Sequence, residues 1–464
     1  MALFGKENGT SYLLQMIRDG KELTLQQQIL LAVMLSIPSI LSQMSNVVMS
    51  YIDASMVGSL GAEASASVGL MSTTIWLCSG LCASVSTSFA VQVAHMMGAN
   101  NRVGAREIFR QAITVCLAFG IFLGSITIAI SGQLPVWLGG SPEIVEGASD
   151  YFFIYACFIP VLQLKIVAGA VIRCSGNLKF PSAVNISMCF FDVLFNYFFI
   201  FVMDMGVVGA AWGTAAAVTT SAILMLGYAV FISSDLRLTR EKGSFLPKKD
   251  VLAKAFHIGM PVGIERIMFN GAQILATRIV APLGTFSIAA NSFGITAESL
   301  CYMPGYGISE ASTTLIGQGL GAMRISLTRK LARITITMGM CVMALMGVVM
   351  YFAAPYMIGF MTDNQQILEL GVSALRIEAF AEPMFAASIV CYGVFVGAGD
   401  TLVPCTMNLC SIWIVRLTLA YFLAPVYGLN GVWLAMCIEL CFRGVIFLCR
   451  FKWGNWMHLD RIGR

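Results

Sequence analysis

The chain has 464 residues, of which 58% are hydrophobic and only 11% charged, with a formal net charge of +4. So few charged side chains cannot cover the surface of a water-soluble fold of this size, and most of the chain is expected to lie in lipid. The basic residues are dispersed between apolar runs, which excludes a nucleic-acid footprint; with no G-x-x-x-x-G-K-[ST] loop, no H-E-x-x-H and His95, His257 and His458 as the imidazoles, no enzyme activity is expected either.

Residues 1–27 are polar, with Lys6, Glu7, Arg18, Asp19, Lys21 and Glu22, and read as a cytoplasmic segment without a cleavable signal. A helix crossing the hydrocarbon core needs about 20 mostly apolar residues. Such stretches are predicted at 28–52, 64–90, 109–131, 149–171, 182–203 and 209–232, together a first lobe of residues 28–232. A polar linker follows at 233–254, with Arg240, Glu241, Lys242, Lys248, Lys249 and Asp250. The second lobe, 255–450, holds spans at 255–281, 286–316, 331–354, 370–396, 403–424 and 429–449, before a tail of 451–464. The expected fold is therefore an all-α membrane protein of 12 transmembrane helices; the ten-residue alternating strands of a membrane barrel are missing. The 14 cysteines lie mostly within predicted spans and form no C-x-x-C, so they read as small apolar fillers.

The two halves are copies. Pro38 and Pro261, Pro160 and Pro383, and Pro181 and Pro404 all stand 223 residues apart, as do Gly61 and Gly284, Arg106 and Arg329, Arg110 and Arg333, Gly176 and Gly399, and Asn185 and Asn408. Because each copy has an even number of crossings, the two six-helix repeats run parallel, and a central cleft between them is expected. Prolines 38, 160, 261 and 383 fall inside spans, where each removes a backbone hydrogen bond and invites a bend.

Loops after even-numbered spans carry Arg102, Arg106, Arg173, Lys179, Arg237, Arg240, Lys242, Lys248, Lys249, Arg324, Arg329 and Lys330, whereas loops after odd-numbered spans are almost free of Lys and Arg. Both termini are therefore expected in the cytoplasm. The loop at 132–150 instead holds Glu143, Glu146 and Asp150, as suits an outward face.

An ionisable group inside a bilayer is costly and asks for a reason. On the first span, Ser42, Asn46 and Asp53 are spaced by four and seven and share a helical stripe; on the fifth, Asn185, Asp192 and Asn196 are spaced by seven and four. Two polar stripes, each with one acid, are expected to converge in the first lobe. There Asp53, Asp192, Asn196, Asn46 and Asn185 form a coupling site for H+, or for Na+ held by Asp53, Asp192 and Asn196. In the second lobe Glu439 and Arg443, four apart, are expected to pair and, with Arg416, to be structural. Glu265, followed by Arg266, is placed near the cytoplasmic end of its helix, away from a central role. Glu298, seven residues after Asn291 and just before Tyr302, is the better candidate to face the cleft. Lys165, deep in the fourth span, either neutralises a carboxylate of its own lobe or meets an anionic substrate. Candidates for a second-lobe or substrate site are thus Glu298, Asn291, Tyr302, Glu265 and Lys165. Methionines, 28 in all, and aromatic residues suit a pocket for varied apolar ligands.

These motifs resemble the multidrug and toxic compound extrusion (MATE) transporters, especially the NorM and DinF-like bacterial branch, from about residue 28 to 450. Asp53-Ala54-Ser55-Met56-Val57-Gly58-Ser59-Leu60-Gly61 looks like the family's D-x-x-x-V-G-x-L-G. Met303-Pro304-Gly305-Tyr306-Gly307, the run Ile316-Gly317-Gln318-Gly319-Leu320-Gly321-Ala322, and Gly397-Ala398-Gly399-Asp400-Thr401 are also similar to family motifs. The resemblance implies a V-shaped pair of lobes that exports cationic or amphipathic organic compounds in exchange for H+ or Na+, in the inner or plasma membrane. Asp53 matches the family's acid on the first helix. On the fifth helix the order is Asp192-x-x-x-Asn196, where archaeal members resemble N-x-x-x-D. Pro261-Val262-Gly263-Ile264-Glu265 matches the DinF-like P-x-x-x-E, while Phe269 stands where NorM-type members place a helix 7 glutamate.

The resulting expectation is a monomeric antiporter that works by alternating access and needs no cofactor beyond its coupling ion. The alternatives are a lipid-linked oligosaccharide flippase of the same superfamily and, from another class, a non-transporting membrane sensor or enzyme.

Overall fold

A computed structural model describes residues 9–240 and 242–457. Lys6 and Glu7 at the start, Glu241 in the linker, and His458 with the end of the tail lie outside the described residues. In chain order the α-helices are α1 (Thr10–Arg18), α2 (Leu25–Gly58), α3 (Ala62–Gly98), α4 (Arg102–Ile130), α5 (Leu134–Trp137), α6 (Pro142–Cys174), α7 (Lys179–Tyr197), α8 (Gly206–Gly227), α9 (Lys249–Val280), α10 (Thr285–Gly321), α11 (Ile325–Gly359), α12 (Gln365–Glu378), α13 (Glu382–Gly397), α14 (Leu402–Cys410), α15 (Leu417–Tyr427) and α16 (Leu429–Trp453). Short π-helical turns extend α7 (Phe198–Val202) and α8 (Tyr228–Ile232) and join α14 to α15 (Ser411–Arg416).

Among the described residues, nine helical runs are long and apolar enough to cross a membrane, and α12 with α13 makes a tenth if the two are taken together. The remaining two of the twelve expected spans are α9 and α10, of 32 and 37 residues. They match in length but are more polar, with Glu265, Arg266 and Arg278 on α9 and Glu298 and Glu310 on α10. Large apolar side chains such as Phe190 of α7 and Phe352 of α11 stand exposed, as lipid contact requires.

The duplication is written in the backbone. Left-handed positions recur at the repeat distance: Gly61 (φ 114°) with Gly284 (98°), Gly176 (105°) with Gly399 (77°), and Asn100 (56°) with Met323 (57°). Each ends or joins helices in the same way in its own half, and glycine is the residue that takes such a conformation without strain. A helix contact recurs too. A Cβ on Gly124 of α4 would meet the Ala156 carbonyl oxygen of α6 at 3.1 Å, and one on Gly347 of α11 would meet that of Ala379 at 2.7 Å. The missing side chains let the helix backbones approach closely in both halves.

The copies differ at their shared proline. In the first half α6 runs unbroken through Pro160, and a Cβ on Gly120 of α4 would stand 3.0 Å from the Pro160 Cα. In the second half Met343, fully buried against Ala381 and Phe385, takes the place of that glycine. The expected single span at 370–396 is instead broken: α12 ends at Glu378, α13 starts at Glu382 with Pro383 in its first turn, and the two meet at 59°. A buried methionine at the proline turn and a ring that cannot donate a backbone hydrogen bond account for the break.

By its contacts the chain forms two compact units, one of residues 45–263 and one of residues 1–44 with 264–464. Both boundaries fall inside helices, α2 and α9, away from the polar linker. In the first of these units α6 packs on α3, α4 and α8, and α7 packs on α8, around a core that includes Phe89, Phe109 and Val171. In the other, α10, α11 and α13 pack on one another and α13 packs on α16. The amphipathic α1 buries Leu13, Leu14 and Ile17 there, and Arg18 donates to Gln318 Oε1 of α10.

Candidate functional site

The two polar stripes meet within the unit of residues 45–263. Asn196 of α7 donates through Nδ2 to Asp53 Oδ1 of α2 at 3.0 Å and to Asp192 Oδ2, one turn earlier on α7, at 2.9 Å. Asp192 is fully buried and Asn196 nearly so, while Asp53 is half-buried. One amide therefore bridges two carboxylates. Asp192 Oδ1 is buried with no hydrogen-bond partner among the described residues. Tyr151 and Lys165 of α6 lie close enough to act electrostatically on Asp192. The Lys165 ammonium also stands 2.8 Å from the Met188 sulfur, which places it in the same polar interior and gives it a carboxylate neighbour in its own half.

Asn46, two turns before Asp53, takes no part in this hydrogen-bonded cluster. Asn185, seven residues before Asp192, is half-buried on the same helix.

Gly213 of α8 was not marked by sequence reasoning, because a glycine's contribution is the side chain it lacks. A Cβ there would lie 2.8 Å from both the Cα and the backbone nitrogen of Asn196. Such contacts essentially do not occur, so Gly213→Ala must push α7 and α8 apart. Overpacking of this kind costs about 1–3 kcal/mol. The variant is expected to stay helical but unfold at lower temperature, which circular dichroism melts in detergent measure.

The other unit holds two groups of ionisable side chains, the first half-buried and the second buried. Glu265 accepts hydrogen bonds from the Tyr392 hydroxyl and from Asn408 Nδ2, each at 2.7 Å. The sequence reading of Glu265 is corrected here: α9 begins at Lys249, six residues before the expected start, so Glu265 lies near the middle of the helix. Its partners come from α13 and α14, more than 100 residues away, and only Asn408 carried a signal, through its pairing with Asn185.

In the second group Glu439 is fully buried and holds two cations. Arg416 donates to its Oε2 through Nε at 3.0 Å and Nη2 at 2.7 Å, and Ser411 to Oε1 at 2.5 Å. Arg443 Nη2 donates to Oε2 at 3.1 Å, with its Nε 2.9 Å from Oε1. Ser411 and Arg416 are five apart, the spacing that a π-helical turn brings to one face, and the turn at Ser411–Arg416 does so. Near this cluster Glu298 of α10 is buried, as are Glu378 and Glu382, which flank the break between α12 and α13. None of the four carboxylate oxygens of Glu378 and Glu382 has a hydrogen-bond partner among the described residues.

Two of the expected cavity residues make packing contacts within this unit. Asn291 accepts from Trp433 Nε1 at 3.0 Å, a partly buried packing bond between α10 and α16. Tyr302 packs edge-on against Phe385 and Tyr306, with ring centres 5.5 and 5.9 Å apart.

Comparison with known proteins agrees with this architecture. A family profile described as MatE matches residues 38–198 and 261–422, two segments that begin at the repeat distance found from the prolines. A probable multidrug resistance protein NorM of Thermotoga maritima is 25% identical over 428 residues, covering 91% of this chain and 92% of that protein. Another of the same name, from Pseudomonas aeruginosa, is 25% identical over 427 residues, covering 90% and 87%. Among solved structures, a MATE protein in the straight conformation superposes with a TM-score of 0.87 at 19% identity, covering 97% of this chain and 98% of that one. A MOP superfamily transporter from Pyrococcus furiosus gives the same score, identity and coverage. With the family profile matched in both halves and the buried acids set in this fold, the chain belongs to the MatE family of membrane transporters.

Proposed function

We propose that this protein is a secondary active multidrug exporter that exchanges cationic or amphipathic organic compounds for H+ by alternating access. The observation that carries the reading is the buried Asp53–Asn196–Asp192 bridge. Two carboxylates that share one amide repel each other when both are charged, and a proton on either one relieves that repulsion. It also leaves the amide with one charged acceptor in place of two, so the α2–α7 contact differs between the loaded and empty states. A ligand shifts a conformational equilibrium only through such a difference. Since α2 runs unbroken from residues grouped with one unit into residues grouped with the other, a change at Asp53 is passed along a continuous helix.

The donor set supports H+ over Na+. A small cation takes oxygen ligands, whereas here Asn196 turns its NH2 to both carboxylates and packs its oxygen toward Gly213. Each charge entering down 100 mV releases about 2.3 kcal/mol, enough to drive export without a nucleotide-binding subunit. Substrate class follows from the names of the NorM relatives and from charge: Glu298, Glu378 and Glu382 add three buried acids to a cluster whose two arginines already share Glu439. An interior with that balance favours cations. We place the protein in the cell membrane as a monomer with both termini in the cytoplasm.

Reconstitution into liposomes tests the whole reading. An imposed pH gradient is expected to drive ethidium against its own gradient, and an imposed Na+ gradient at constant pH is expected to leave it at equilibrium. Flux driven by Na+ alone would reverse the choice of ion, and no flux under either gradient would overturn the proposal.

A further inference from the structure

Arg278 stands in the last turn of α9, at the end of the helix where the chain otherwise avoids cations. The connections after odd-numbered predicted spans, with the first turns of the helices that follow them, carry Glu63, Glu143, Glu146, Asp204 and Asp363. The Arg278 side chain is exposed, and it makes no ion pair or hydrogen bond among the described residues. It lines a crevice of about 720 Å³ between the end of α9 and α15, whose other walls include Leu275, Ile279, Leu283, Leu417 and Tyr421. Every one of these residues belongs to the unit that contains residues 264–464.

An apolar slot with one guanidinium in its lining fits an amphiphile with an anionic head. The cationic compounds proposed as substrates are repelled by Arg278, so the slot is no part of their path. Arginine's planar fork of donors matches a phosphate, which it binds through paired hydrogen bonds. The hydroxyls of Thr418 and Tyr421, also in the lining, suit the ester oxygens that link head to tail. We propose that this crevice is a binding site for a membrane glycerophospholipid, with its phosphate on Arg278 and an acyl chain along Leu275, Ile279 and Leu417. The site is independent of the coupling mechanism, and its test does not require transport.

The test uses the full chain, purified in detergent and stripped of lipid. Native mass spectrometry and thermal melts are recorded with added dioleoylphosphatidylglycerol, dioleoylglycerol or oleate. The phosphate lipid is expected to remain bound and to raise the melting temperature, with the other two at least about tenfold weaker. Arg278→Gln, an exposed position where folding is not at stake, is expected to abolish that preference, and Leu417→Trp to fill the slot and displace the lipid. Arg329→Gln, at an exposed position of α11, serves as the control and is expected to behave as the parent. Equal binding of phosphatidylglycerol to parent and Arg278→Gln, equal binding of dioleoylglycerol or oleate to the parent, or no retained phospholipid would each overturn the proposal.

Discussion

Replacing Asp192 by Asn is expected to leave a folded protein whose export no longer responds to a pH gradient. The substitution keeps the volume of a fully buried side chain and supplies an amide that can still hydrogen-bond Asn196, so packing is preserved. On the proposed mechanism, what it removes is the second charge that makes the bridge to Asp53 depend on a proton. Moving a two-state equilibrium from 1:99 to 99:1 takes about 5.5 kcal/mol of differential binding, and gradient-driven flux in liposomes is therefore expected to fall by more than about tenfold. Exchange of substrate down its own gradient should fall far less. Asp53→Asn should reproduce this phenotype, because both carboxylates act through the same amide. Full pH-driven transport by either variant would remove the bridge from the mechanism.

Glu439→Ala is expected to be the most destabilising single change in the unit of residues 1–44 and 264–464. The carboxylate is fully buried between Arg416 and Arg443, whose side chains are 14% and 9% exposed. Its loss leaves two guanidinium groups in a low-dielectric interior without the carboxylate they are hydrogen-bonded to, a change that costs about 3–5 kcal/mol. Ser411 would lose its acceptor as well. The measurement is a thermal or denaturant melt in detergent. Glu439→Gln should cost nearly as much, since it keeps the shape and discards the charge. Replacing all three ionic groups by apolar residues of similar size should recover most of the loss, because an absent buried triad has no desolvation cost. If Glu439→Gln melts like the parent, the arginines draw their stability from another source.

Much of this architecture is legible in one sequence because a duplication leaves regular marks. The proline and glycine pairs announce the repeat, and the structure returns the same spacing in its left-handed turns at Gly61 and Gly284, Gly176 and Gly399, and Asn100 and Met323. The polar stripes of α2 and α7 can be read because a helix repeats itself every turn, so residues four apart share a face. This is also why the order Asp192-x-x-x-Asn196 still brings both groups to Asp53. Other parts are hidden for equally physical reasons. Pro383 signals a bend, yet α12 and α13 together are apolar enough to read as one span, which conceals how sharply they break. The bonds from Tyr392 and Asn408 to Glu265 join residues 127 and 143 apart, and no local pattern encodes them. Asn291 shares a helix with Glu298 yet is bonded to Trp433, because a stripe specifies a direction but not which neighbour waits there.

The proline shared by the two copies carries one more consequence. In α6 the chain around Pro160 packs against a glycine-faced neighbour and continues as one helix, whereas at Pro383 the same repeat position lies at a 59° break between α12 and α13. The duplicated halves thus hold one continuous helix and one divided helix, made from the same parts. Glu378 and Glu382 thus stand on either side of a break in their helix, whereas Lys165, little more than a turn beyond Pro160, stands within an unbroken one.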